Sequence, residues 1–141
     1  MLDRALKIAV AAHEGQKDKG GQPYILHPIR IMMQMDTEAK RVAAILHDVV
    51  EDSDIMFEDL EKEGIIGDPL RAVILLTKHP GQDYFEVIDC ITQNDIARAV
   101  KIKDLEDNMQ VWRLKNRRDL KPKDLERMQK YAKAWSILTG R

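Results

Sequence analysis

Val42, Ile45, Leu46, Val49 and Val50 recur at i, i+3, i+4, i+7 and i+8, and no other feature constrains this chain as strongly. The spacing is that of a helix burying one stripe against its neighbours. Ile102, Leu105, Met109 and Trp112 mark a second stripe of the same period. Strand-like alternation is missing, and the punctuation is short: Gly15, Gly20-Gly21-Gln22-Pro23, Gly64, Gly67-Asp68-Pro69 and His79-Pro80-Gly81. The pattern predicts helices over roughly 2–14, 24–35, 38–52, 57–63, 68–78, 83–92, 95–114 and 123–138. Asp36-Thr37 and Asn94-Asp95 offer capping side chains before the two striped helices. The expected class is all-α, a compact single-domain helical bundle over residues 1–141.

A chain of 141 residues with 44% apolar and 33% charged residues can bury one ordinary core and suits a soluble globular protein. No apolar run approaches the roughly 20 residues that span a bilayer. Ile8-Ala9-Val10-Ala11-Ala12 is flanked by charge and lacks a cleavage-like sequel, so a signal peptide is rejected. Cys90 has no partner in the chain, and its neighbours Ile88 and Ile91 suggest a buried thiol; a reducing, cytoplasmic setting is expected. The net charge of −1 argues against a dedicated nucleic-acid binder. Acids nevertheless dominate from Asp36 to Asp68, and the segment from Lys101 to Lys130 leans basic. Such a split fits a cation site beside groups that meet an anion, and fits equally two solvated helix faces.

The segment Leu46-His47-Asp48-Val49-Val50-Glu51-Asp52 interrupts the apolar stripe with chemistry. On a continuous helix with Val42 at the origin, His47, Glu51 and Asp48 fall about 140, 180 and 240 degrees away, opposite the core. Imidazole nitrogen and carboxylate oxygen suit divalent manganese, iron or zinc. Adjacent positions on a helix diverge, so His47 and Asp48 share an ion only if it lies between their directions, and other donors must come from elsewhere. An exposed polar face that happens to hold a histidine fits the same residues. Tyr24-Ile25-Leu26-His27-Pro28 adds a histidine after a glycine loop, where a satisfied core histidine is the alternative. Lys101, Asp104 and Asn108 share one helical face; a charged surface helix, with Lys103, Glu106 and Asp107 as ordinary members, is the alternative.

Three segments in this order resemble the HD superfamily of metal-dependent phosphohydrolases. Within it, the likeness is to the hydrolase domain of RelA/SpoT-type enzymes and the stand-alone small alarmone hydrolases. The first segment is His13-Glu14-Gly15-Gln16 with Lys19-Gly20-Gly21-Gln22-Pro23-Tyr24-Ile25-Leu26-His27-Pro28. The second is Leu46 to Asp52, and the third is Lys101-Ile102-Lys103-Asp104 with Asn108-Met109. The likeness runs from about Ala5 to Trp135. It implies a helical bundle in which His27, His47, Asp48 and Asp104 hold one divalent ion, manganese by the habit of the family, with iron, zinc or cobalt compatible with the same donors. It implies roles for Glu51 and Asp52 around the attacking water, and for Lys19, Lys101, Asn108 and Tyr131 toward the substrate. Tyr131 reads equally as a packing residue.

The implied reaction is removal of the 3′-diphosphate from guanosine polyphosphate alarmones. Two departures bear on the base: Asp18 stands where relatives place an arginine against guanine, and Val111 where a threonine is usual. The chain ends where a synthetase domain would begin in bifunctional relatives, so hydrolysis alone is expected. The expected partner is a small phosphorylated nucleotide, with neither nucleic acid nor membrane; the oligomeric state is not specified. One rival is an HD-type phosphomonoesterase acting on nucleoside 5′-monophosphates or another phosphorylated metabolite. A second is a non-catalytic nucleotide- or protein-binding module.

Overall fold

A computed structural model describes residues 1–141. The helices are α1 (Leu2–Ala12), α2 (Leu26–Met33), α3 (Glu38–Leu46), α4 (Val49–Asp52), α5 (Phe57–Lys62), α6 (Asp68–Leu76), α7 (Tyr84–Ile91), α8 (Asp95–Asn108) and α9 (Pro122–Thr139). No strand forms; a single bridge between Lys17 and Pro23 closes the loop before α2. The all-α expectation holds. No helix is long and apolar enough to cross a membrane.

α3 is the axis of the bundle, packed by α1, α2, α6 and α8. Its residues Val42, Ala43, Ala44, Ile45 and Leu46 are all fully enclosed, so the stripe read from the sequence is only part of its buried surface. The alanines let neighbouring helices approach on the sides that the large residues do not fill. Thr37 caps α3 by accepting the Lys40 amide at 3.2 Å, and Asn94 caps α8 by accepting the Ala97 amide at 2.9 Å. Both caps satisfy donors that a helix start leaves open.

Three expectations need correction. The helix predicted over 38–52 is two helices, α3 and α4, parted at His47 and Asp48. The helix predicted over 95–114 stops at Asn108; Trp112 is 57% exposed in a short 3-10 turn, Val111–Arg113, and belongs to no core stripe. The side chain of Arg113 turns back to donate to the Asp107 carbonyl at 3.2 Å, which caps the open end of α8. Cys90 is exposed, not buried. Ile88 and Ile91 lie one turn apart on the buried face of α7, which sends the intervening Cys90 to the other side.

The enclosure of α3 makes a testable prediction. Ile45→Ala removes a fully buried side chain from the axis and is expected to cost about 2–5 kcal/mol. Urea unfolding of the metal-free protein measures it.

Candidate metal centre

The break between α3 and α4 is what turns two adjacent residues toward one point. His47 keeps helical angles, but Asp48 sits at φ −109°, ψ −1°, and its chain restarts as α4. His47 Nε2 and Asp48 Oδ2 thereby come within 3.0 Å, although neighbours on a regular helix diverge. The picture of a polar face opposite the core is corrected as well: His47 is only 2% exposed, enclosed among helices rather than turned to water.

α2 and α8 supply the other donors. His27, in the first turn of α2, places Nε2 2.8 Å from Asp104 Oδ1 and 3.9 Å from Asp48 Oδ2. His47 Nε2 lies 3.3 Å from the same Asp104 oxygen. One donor atom from each of His27, His47, Asp48 and Asp104 lies within 4.8 Å of every other, and three of the four residues are buried. Two imidazole nitrogens and two carboxylate oxygens gathered this closely fit a divalent transition-metal ion. Tautomers agree with that use. His47 Nδ1 donates to the Ala44 carbonyl at 2.6 Å, and Nδ1 of His27 lies 2.6 Å from Asp107 Oδ2. Each ring therefore presents Nε2 to the centre.

The surrounding groups balance the charge. Lys101 Nζ donates to Asp104 Oδ2 at 2.8 Å, and Asn108 Nδ2 to Asp104 Oδ1 at 3.1 Å. Burial alone would raise the Asp104 pKa, but Lys101 and the imidazoles hold it well below the carboxylate range. Burial likewise opposes ionisation of Asp48, and His47 beside it overrides that and brings it down to about 2. Burial pulls the imidazole pKa values of His27 and His47 down; the carboxylates outweigh it, and both end above the ordinary value. The Tyr24 hydroxyl donates to Asp48, and burial beside that carboxylate raises its own pKa.

Apart from Lys101, the remaining sequence-predicted residues divide between two cavities. Lys19, Asn108 and Tyr131 line one of about 290 Å³, together with Lys17, Arg113 and Arg127. Tyr24 also lines it, and through Tyr24 and Asn108 it adjoins the ligand cluster. Tyr131 lines the cavity and also packs on the core. Lys101 is not in that lining; its ammonium is spent on Asp104. Glu51 and Asp52 line a second cavity with Lys78 and His79, and the Glu51 carboxylate accepts the Lys78 amide. Both are exposed, yet partial loss of hydration raises the pKa of each, and the nearby Asp48 charge adds to the rise.

Asp18 also lines the cavity of Lys19 and Tyr131, with its carboxylate engaged by its own loop and by Arg113. Its Oδ1 accepts the amides of Gly20 and Gln22, both at 2.9 Å, and its Oδ2 lies 3.5 Å from Arg113. The glycine loop serves the same local packing: a side chain at Gly20 would collide with the Arg113 carbonyl. Val111 is exposed and outside the cavity lining. Sequence reasoning missed Lys17, Arg113 and Arg127, which follow no shared period, and also Arg30 and Asp107. The last two were within reach, since His27/Arg30 and Asp104/Asp107 are both i, i+3 pairs.

No family model matches the chain. The chloroplast protein RSH1 of Arabidopsis thaliana is 33% identical over 110 residues, 74% of this chain and 12% of that one. A guanosine-3′,5′-bis(diphosphate) 3′-pyrophosphohydrolase of Vibrio cholerae is 43% identical over 65 residues, 43% of this chain and 9% of that one. The chain thus spans a small fraction of these curated relatives. The solved structure of a metazoan SpoT orthologue, described as hydrolysing ppGpp, superposes with a TM-score of 0.73 at 25% identity, covering 97% of this chain and 84% of that chain. The likeness read from the three motifs holds in both sequence and fold.

The protonation of the cluster generates a prediction. A divalent ion and a proton compete for each imidazole Nε2, so metal affinity should fall as pH drops below the raised imidazole values. In the metal-free protein the sign reverses. Stability from the two imidazolium–carboxylate contacts is complete below the unfolded imidazole pKa of about 6.5 and is lost as pH rises through the folded values. Melting temperatures between about pH 6 and pH 9 should therefore fall in chelator, and the increment on adding metal should grow.

Proposed function

We propose that this chain, an HD-type domain similar to the SpoT-type ppGpp hydrolases, is a metal-dependent phosphohydrolase that removes the 3′-diphosphate from guanosine polyphosphate alarmones. One observation carries the reading: a buried two-histidine, two-aspartate cluster adjoins a cavity walled by Lys17, Lys19, Arg113 and Arg127. Such a cavity suits a ligand with several phosphate charges.

His27, His47, Asp48 and Asp104 would hold the ion, manganese by the habit of the resembling family. A divalent cation there supplies Lewis-acid polarisation of a phosphorus centre and acidifies water. Glu51 is the base that takes a proton from the attacking water. Partial desolvation near Asp48 raises its proton affinity toward that task. Asp52, raised in the same way, passes the proton onward. Lys19 neutralises the diphosphate, and Asn108 and Tyr131 orient the nucleotide in the same cavity. Lys101 acts one step back, by fixing Asp104. Asp18, where relatives place an arginine against guanine, lines the same cavity with its carboxylate held by its own loop, so the base meets a different group here.

The test is to incubate manganese-loaded protein with nucleotides bearing 3′-diphosphates, 5′-phosphates or 2′-phosphates and to identify the products. Pyrophosphate from the 3′-diphosphate is the expected outcome; single phosphate release from a 5′-monophosphate would replace this reading with a phosphomonoesterase. Glu51→Gln is expected to keep the metal and lose about 100-fold or more in turnover, the scale of general-base assistance. Asp48→Ala should lose the metal itself, as read by elemental analysis.

A further inference from the structure

Asp107 lies one turn beyond Asp104 on α8 and is 7% exposed, and the proposed reaction gives it no role. Its surroundings are unusually complete. Oδ2 stands 2.6 Å from His27 Nδ1. Arg30 grips both oxygens, Nε to Oδ1 at 2.9 Å and Nη2 to Oδ2 at 3.0 Å. Arg113 Nη1 donates to Oδ2 at 2.9 Å and to the Asn108 side-chain oxygen at 3.1 Å. Arg30 is itself backed by the Trp112 ring, 5.4 Å from the guanidinium carbon. This buried carboxylate thus accepts four charge-assisted contacts, three of them on Oδ2.

The helical register explains how this forms. His27 and Arg30 are three apart on α2; Asp104 and Asp107 are three apart on α8. The two helices therefore meet as two rungs, His27 on Asp104 and Arg30 on Asp107, with the contact from His27 to Asp107 as the diagonal. The imidazole is held from both sides by carboxylates of one helix. Arg113 also approaches Nδ1, at 3.4 Å, but a guanidinium can only donate, and the shorter contact to Asp107 makes Nδ1 the donor.

We infer that Asp107, clamped by Arg30 and Arg113, is a positioning residue for the metal centre: it fixes His27 with the proton on Nδ1 and Nε2 directed at the ion. An imidazole free to turn about its side-chain bonds would present either nitrogen. Here the acceptor is anionic, buried and immobilised, so the ring has one orientation, and the carboxylate makes Nε2 a stronger donor. Arg113 extends the clamp to the substrate side, because it lines the cavity shared by Lys19 and Tyr131 while holding Asp107 and Asn108.

The inference rests on the metal-site reading, and the experiment separates the two. Metal affinity is measured by competition with a calibrated chelator, using zinc and manganese, for the wild-type protein, Asp107→Asn and Asp107→Ala. Melting of each metal-free variant reports the fold. In the zinc-loaded wild type, nitrogen-15 correlation spectra assign which His27 nitrogen carries the proton. The expected result is a proton on Nδ1 and a 10- to 100-fold loss of metal affinity in Asp107→Asn, the usual scale for such partners. Asp107→Ala should lose at least as much. A wild type that binds zinc through Nδ1 of His27, or an Asp107→Asn protein that binds within twofold of it, would overturn the inference and leave the metal site standing. A wild type that binds neither metal would overturn both. The wild-type spectrum keeps the inference open to refutation even if both variants fail to fold.

Discussion

The carboxylate of Asp104 sits inside an all-helical bundle, 3% exposed, where an isolated negative charge is not tolerated. His27 and Asn108 meet its Oδ1 at 2.8 and 3.1 Å, and Lys101 meets its Oδ2 at 2.8 Å. His47 completes the set at 3.3 Å. These partners come from α2, α8 and the end of α3, so satisfying one buried anion requires those elements to be mutually placed. The apolar enclosure of α3 drives collapse in general; the demands of Asp104 select one arrangement of it. The same low dielectric that penalises an unpaired carboxylate strengthens its attraction for a cation.

Around that point the charges are layered. Four donors face inward, with Asp107, Tyr24 and Lys101 fixing three of them from behind. Beyond these, Lys17, Lys19, Arg113 and Arg127 wall the adjoining cavity. Two carboxylates thus stand where a cation would bind, and basic groups outnumber the one carboxylate, Asp18, around the cavity where an anion would enter. The uneven distribution of charge along the chain matches this arrangement only loosely: most acids between Asp36 and Asp68 are exposed, Asp104 and Asp107 lie in the basic last third, and Lys17 and Lys19 come from the N-terminal loop.

Legibility in the sequence followed the range of the interaction. The α3 stripe, the Thr37 and Asn94 caps and the absence of strands depend on residues a few positions apart, and each reads correctly. The break at His47-Asp48 is a tertiary effect. A regular helix through it would satisfy every local preference, yet the adjacent side chains would then diverge. The end of α8 at Asn108 is similar. Met109 and Trp112 continue a helical period, but Arg113 and the close approach of Gly20 turn the chain away. Cys90 misled because two buried neighbours on a helix imply nothing about the residue between them.

The sequence by itself determined the helical class, the axis of the core and which residue types could serve a cation. Those properties follow from periodicity and from the chemistry of side chains, both local. Only the tertiary structure decided that His47 is enclosed, that Lys101 is committed to Asp104, and that Asp18 braces its own loop. It alone raised Asp107 from a surface acid to the partner of His27. The reason is physical: a charged side chain's role depends on what lies within about 4 Å of it once water is removed. Here those neighbours lie as many as 95 positions away along the chain, as Arg113 does from Asp18.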